Sequence, residues 1–167
     1  MRQLIGIVLQ ALFYIGFMAV VGYFSTRPAY THQDPSLALV KLSFSHAGER
    51  KEDCRQLSPE EIANLAPNMR RPMKCGRERV PLHVELLLDG RMIYSAELPP
   101  SGLAGGGESS AYQRFPVPPG THRLTARLRD TRREHGFDHE RTETVTLSPR
   151  QNFVIDFKAD TGGFTFL

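Results

Sequence analysis

Read from the N-terminus, the chain shows two hydrophobic rhythms in succession. Leu4 to Phe24 is an apolar run with no charged residue and Gln10 as its one strongly polar side chain. About 20 such residues at 1.5 Å rise match a hydrocarbon core of about 30 Å, so the run predicts a membrane-spanning helix. A cleaved secretory signal is the competing expectation. Its apolar centre is ordinarily about 7–15 residues long and leads to a small-residue cleavage site, whereas Tyr23-Phe24-Ser25-Thr26-Arg27-Pro28 follows here. Residues 1–24 therefore read as a transmembrane signal-anchor. Residues 25–36, mixing Pro with polar side chains and lacking periodicity, read as a linker.

From residue 37 the period drops to two. Ala38, Val40, Leu42 and Phe44 alternate with Lys41, Ser43 and Ser45, as a half-buried strand requires. Leu82, Val84, Leu86 and Leu88 repeat the pattern. Asp89-Gly90 then precedes Met92, Tyr94, Ala96 and Leu98, and this pair accepts the positive φ of a primed turn, so a hairpin is predicted with both sets facing the core. Phe115 and Val117 lead into Pro118-Pro119-Gly120, after which His122, Leu124, Ala126 and Leu128 face one way and Arg123, Thr125, Arg127 and Arg129 the other. Thr142 to Leu147 and Phe153 to Phe157, joined by a Ser148-Pro149-Arg150-Gln151 turn, bring the tally to about six or seven short strands. The glycines at 105–107 predict a mobile loop. Ser58-Pro59-Glu60-Glu61 is a helix start, with Ser58 as N-cap and Glu61 closing a capping box, and Pro67 ends the helix. The expectation for residues 37–167 is a mainly β, extracytoplasmic domain: an antiparallel β-sandwich, Ig-like or prealbumin-like, with one short helical insert.

The segment Val117-Pro118-Pro119-Gly120-Thr121-His122-Arg123-Leu124, followed by Val-Thr-Leu-Ser-Pro-Arg-Gln-Asn-Phe-Val-Ile-Asp-Phe at 145–157, resembles the turn-then-strand pattern of PEGA-type and carboxypeptidase-regulatory-like β-sandwich domains. The likeness runs over residues 80–157 and leaves out the cysteine-containing insert at 54–75. It implies a non-catalytic accessory or presentation module and transfers no functional residue.

Charge changes the picture locally. The formal net charge is +3, with Arg70, Arg71, Lys74, Arg77 and Arg79 in one stretch and Arg123, Arg127, Arg129, Arg132 and Arg133 in another. Arg70, Arg71, Arg123, Arg127 and Arg129 are candidates for a surface that meets an anionic partner: lipid headgroups, an acidic polymer or an acidic subunit. The plain alternative is that Glu78, Asp130, Glu134 and Glu140 neutralise these runs as an ordinary solvated face. Orientation rests on Arg2 and the α-amino group before the helix against Arg27 after it, which favours a cytoplasmic N-terminus and places nucleic acid out of reach of the exported domain.

Cys54 and Cys75 are expected to form a disulfide in an oxidising compartment. The sharper alternative is a soft-metal site of Met69, Met73 and Cys75, with Cys54 as a further ligand, because thioethers and thiolates select Cu(I). His135, Asp138, His139 and Glu140 are residue types that bind zinc, but Gly136 and the β-favouring residues downstream make a solvated loop of them. The chain has no Gly-x-Ser-x-Gly elbow and no phosphate-binding glycine loop, so no enzymatic activity is expected. The sequence thus points to a single-pass protein of the inner (plasma) membrane with its C-terminal domain periplasmic or extracellular. Its partners are the lipid bilayer and a membrane protein complex, in which it serves as an accessory or assembly subunit without a cofactor. Copper delivery is the alternative.

Overall fold

The computed structural model describes residues 1–27 and 33–167, so residues 28–32 of the predicted linker lie outside the described residues. The chain divides into two compact units, Met1–Asp34 and Pro35–Leu167.

The first unit is a single helix, α1 (Arg2–Thr26), two residues longer at each end than its apolar run predicts. It is long and apolar enough to cross a membrane. None of its residues is buried. Within it, Gln10 Nε2 donates to the Tyr14 hydroxyl at 3.4 Å, one turn on.

The second unit contains β1 (Ala38–His46), β2 (Arg55–Gln56), α2 (Pro59–Ala63), β3 (Met73–Lys74), β4 (Leu82–Leu88), β5 (Arg91–Leu98), β6 (Ser109–Val117), β7 (Gly120–Arg129), β8 (His139–Leu147), β9 (Asn152–Lys158) and β10 (Gly163–Phe166). Among the described residues these strands make two four-stranded sheets, ordered β10-β9-β1-β6 and β5-β4-β7-β8, and a two-stranded ribbon, β2-β3. The expectation of a wholly antiparallel arrangement is corrected at one pair: β1 and β9 run parallel, with Leu39 opposite Asn152. The reason is connectivity. β6 occupies one edge of β1 in antiparallel register, and β9 arrives from the other sheet by a crossover, which permits parallel pairing where a tight hairpin does not.

Alternation explains the packing. Val40, Leu42 and Phe44 of β1, Leu82, Val84 and Leu86 of β4, Leu124, Ala126 and Leu128 of β7, and Ile155 and Phe157 of β9 join one buried cluster drawn from both sheets. The Phe157 ring lies 5.8 Å from that of Phe44 and 5.0 Å from that of Phe164. The imidazoles of His46 and His139 stand edge-on to it at 4.9 and 5.0 Å.

Three local expectations meet different outcomes. Asp89 and Gly90 adopt φ of 52° and 82°, as a primed hairpin turn demands. Beyond the turn, Leu86 faces Tyr94 but Leu87 faces Met92, which leaves Ile93 as a bulge residue. One extra residue reverses the facing of everything past it. Met92 is accordingly 50% exposed rather than in the core, and Ile93 packs against the core in its place. The glycine loop is also tied down rather than free. Arg79 N donates to Gly105 O at 2.9 Å, and Gly107 N to Ser101 O at 2.9 Å. A Cβ at Gly107 would collide with Ser101, so the glycines there serve close backbone approach.

Asp89 also fastens the hairpin to β7. Its carboxylate accepts from Arg123 N at 2.8 Å and from His122 Nδ1 at 2.8 Å, while His122 Nε2 donates to Pro118 O at 2.9 Å. With acceptors on both ring nitrogens the imidazolium form is favoured. The Asp89 carboxylate accordingly raises the His122 pKa. The Arg123 N–H and then His122 lower that of Asp89.

Two outcomes follow. Phe157→Ala should destabilise the unit by about 3–5 kcal/mol, whereas Met92→Ala should change stability by under about 0.5 kcal/mol. Chemical denaturation of both variants in mild detergent checks this, and a large loss at Met92 would refute the bulge. For pH, the raised His122 pKa contributes stability that is complete below the unfolded value of about 6.5 and is lost as pH rises through the folded value. The lowered Asp89 pKa contributes stability present above about 3.9 and lost as pH falls through its folded value. The melting temperature should therefore decline as pH is raised above about 6.5, and the decline should shrink in Asp89→Asn, which keeps a residue tolerant of positive φ.

Candidate functional site

Between β1 and β4 the chain makes one excursion, leaving and rejoining at a β-bridge of Arg50 with Arg79. Its neck is well tied. Arg132 reaches across to Glu49 at 2.9 Å and Asp53 at 2.8 Å, Lys51 pairs with Glu78, and Arg79 donates to Gly48 O at 2.7 Å. Beyond the neck Cys54 and Cys75 are joined in the expected disulfide, and no free cysteine remains. The ribbon β2-β3 follows, pairing Arg55 with Lys74 and Gln56 with Met73.

α2 is set by the predicted capping box: Ser58 Oγ accepts from Glu61 N, and the Glu61 carboxylate accepts from Ser58 N. Arg55 grips the same carboxylate at 2.8 and 3.2 Å, and this ion pair, with the Ser58 N–H behind it, holds the Glu61 pKa down at about 2. Arg70 donates to Leu65 O at 3.2 Å and Ala63 O at 3.5 Å, satisfying carbonyls that the end of α2 leaves open. No residue from 49 to 81 is buried. The insert adds nothing to the hydrophobic core and depends on its disulfide, its caps and its neck.

One face of the insert is a groove of about 420 Å³. Leu57, Leu65, Met69 and Met73 supply its apolar lining, and Arg71 and Lys74 its cationic one. A second hollow, of about 410 Å³, lies where Arg50, Arg77 and Arg79 meet the glycine loop at Leu103.

The basic stretches have separate fates. In the later one, Arg127 lies 3.8 Å from Glu85 and 3.2 Å from Glu140 beneath the Phe137 ring. Arg129 donates to Glu134 O at 2.8 Å, and Arg133 pairs with Asp138 at 2.9 Å. Arg123 alone among the candidates there keeps an exposed side chain without an ion pair among the described residues. The earlier stretch is not neutralised: between residues 70 and 79, Glu78 is taken by Lys51, and Arg70 and Arg79 bind backbone carbonyls. Arg71, Lys74 and Arg77 are exposed.

For the soft-metal set, the groove gathers Met69 and Met73, but Cys75 is bonded to Cys54 and offers no thiolate. The zinc-type residues disperse. Asp138 accepts from the N–H groups of Asp130 and Thr131 and from the Thr131 hydroxyl, Glu140 faces Arg127, and His139 lies 3.5 Å from Asp130. Among the described residues no group of three or more His, Cys, Asp or Glu is placed to hold a metal ion.

Sequence reasoning missed the meeting of His46, Asp130 and His139, in which Asp130 lies 2.7 Å from His46 at the point where the two sheets adjoin. It also missed the Arg132 clamp. His46 with Asp130, and Arg132 with Asp53, are joined about 80 positions apart in the chain, which leaves no local signal. Set against protein-family descriptions, characterised proteins and solved structures, the chain matches none of them.

Because the insert is held outside the core, Cys75→Ser or reduction should loosen residues 55–74 while the sheets keep their protection. In the chain-entropy picture a loop of this length is worth about 3 kcal/mol. Hydrogen exchange checks this, and unchanged protection of the insert after reduction would refute it.

Proposed function

We propose that the chain is a bitopic membrane protein in which α1 crosses the bilayer with its N-terminus cytoplasmic. Its second unit, a β-sandwich, stands outside as a non-catalytic interaction module, an accessory or assembly subunit of a cell-envelope membrane complex. A sandwich is supported by the single core to which both four-stranded sheets contribute. Orientation is supported by Arg2 and the α-amino group on the cytoplasmic side and by a disulfide suited to an oxidising exterior.

Membership of a complex is supported by α1 itself. Gln10 and Tyr14 place a polar pair on one face of the helix within the apolar span. The Gln10 amide keeps an N–H and a carbonyl that Tyr14 does not use. Hydrocarbon cannot satisfy these groups, whereas a neighbouring helix can.

Affinity capture of the full-length protein from mild-detergent membranes, followed by mass spectrometry, tests this. One membrane complex should be recovered in stoichiometric amount with Cys54 and Cys75 linked, and Gln10→Leu with Tyr14→Phe should lose it. Recovery of the protein alone, with free thiols and bound copper, would replace this function with metal delivery.

A further inference from the structure

We propose that the insert between Lys51 and Glu78 seats on anionic phospholipid headgroups of the bilayer that holds α1. This rests on α1 being in the membrane and adds a second contact to it. Three observations support it.

The first is uncompensated charge. Arg71, Lys74 and Arg77 are exposed and make no ion pair among the described residues, and they outnumber the acids of the insert that are likewise exposed and unpaired, Glu52 and Glu60. Cations near an anionic bilayer are attracted to it, over a distance of about one Debye length, roughly 8 Å at physiological salt. The second is the company these cations keep. Met69 and Met73, 59% and 47% exposed, share the groove with Arg71 and Lys74, and Leu103, fully exposed, adjoins the hollow of Arg50, Arg77 and Arg79. Apolar side chains standing among unpaired cations suit the boundary between headgroups and acyl chains. The third is reach. Residues 27–37 separate the end of α1 from the first strand, and at about 3.3–3.6 Å each they span at most about 40 Å, more than the roughly 30 Å length of the nine-residue β1 beyond whose far end the insert begins.

An acidic segment of a partner protein is the competing occupant. A single slot would suit it, but here the cations surround two separate hollows. A surface of many headgroups can meet both.

The chain contains no tryptophan, so Met69→Trp gives a single reporter, with Met73→Trp as its duplicate should the first fold poorly. Full-length protein would be reconstituted into vesicles of phosphatidylcholine alone or mixed with phosphatidylglycerol, each with and without brominated lipid. Phe13→Trp, in the middle of α1, reports on the anchor. The expected result is a blue shift and loss of emission to brominated lipid at position 69 in the anionic vesicles only. Arg71→Gln, Lys74→Gln and Arg77→Gln together should abolish it, as should about 1 M salt, where the Debye length falls to about 3 Å. Equal quenching in both membranes, or none in either while position 13 is quenched, overturns the docking and leaves the anchor standing. An unquenched position 13 overturns the anchor, and the docking with it.

Discussion

Neither four-stranded sheet could stand alone in water, because each has one face lined with leucine, valine and phenylalanine. Mutual burial of those faces is the interaction on which the rest of the second unit depends. Side chains alternate along a strand, so committing Leu124, Ala126 and Leu128 to the core forces Arg123, Thr125, Arg127 and Arg129 outward. Their cross-strand neighbours are then fixed as well. Arg127 falls between Glu140 on β8 and Glu85 on β4, and Thr125 falls opposite Thr142, where the two hydroxyls hydrogen-bond at 2.8 Å. Neutralisation of Arg127 is a by-product of core register.

The insert obeys no such rule. With no residue buried, it has no register to bring carboxylates opposite its cations: Glu61 goes to Arg55, Glu49 and Asp53 go to Arg132, and Glu52 and Glu60 stand exposed without an ion pair among the described residues. Those pairs fix the shape of the insert and the strength of its neck. They do nothing for Arg71, Lys74 and Arg77, which stay exposed without an ion pair among the described residues.

What could be read from the sequence was local. The apolar run gave α1, Asp89-Gly90 gave the hairpin, and Ser58 to Glu61 gave α2 with its capping box, because each signal lies within a few residues of its effect. The misread features depend on partners far along the chain. Met92 left the core because of a bulge that alternation alone does not announce. The glycines at 105–107 are held by Arg79 and Ser101, neither marked by the loop's composition. β10, only four residues long and entered through Gly162 and Gly163 at positive φ, is too short for a periodicity to show. Of the candidate site, the cysteine pair was legible, but which arginines stay unpaired depends on contacts such as Lys51 with Glu78 and Arg132 with Asp53 that join distant parts of the chain, and could not be.

Topology and chemistry meet at the disulfide. Arg2 and the α-amino group against Arg27 give α1 only a small orientational bias. Cys54 and Cys75 bear on the same question by another route. A reducing compartment would hold them as thiols, and the insert, lacking a core, would lose the cross-link that joins its two ends beyond the neck. Its cations would then sit on a loosened segment in which Met69, Arg71, Met73 and Lys74 no longer share one groove. With the opposite orientation the insert could still be drawn to a charged membrane, but as a flexible basic loop in which spacing hardly matters. Only on the oxidising side does the arrangement of the groove gain meaning, because only there are the positions of its charges fixed relative to its apolar lining.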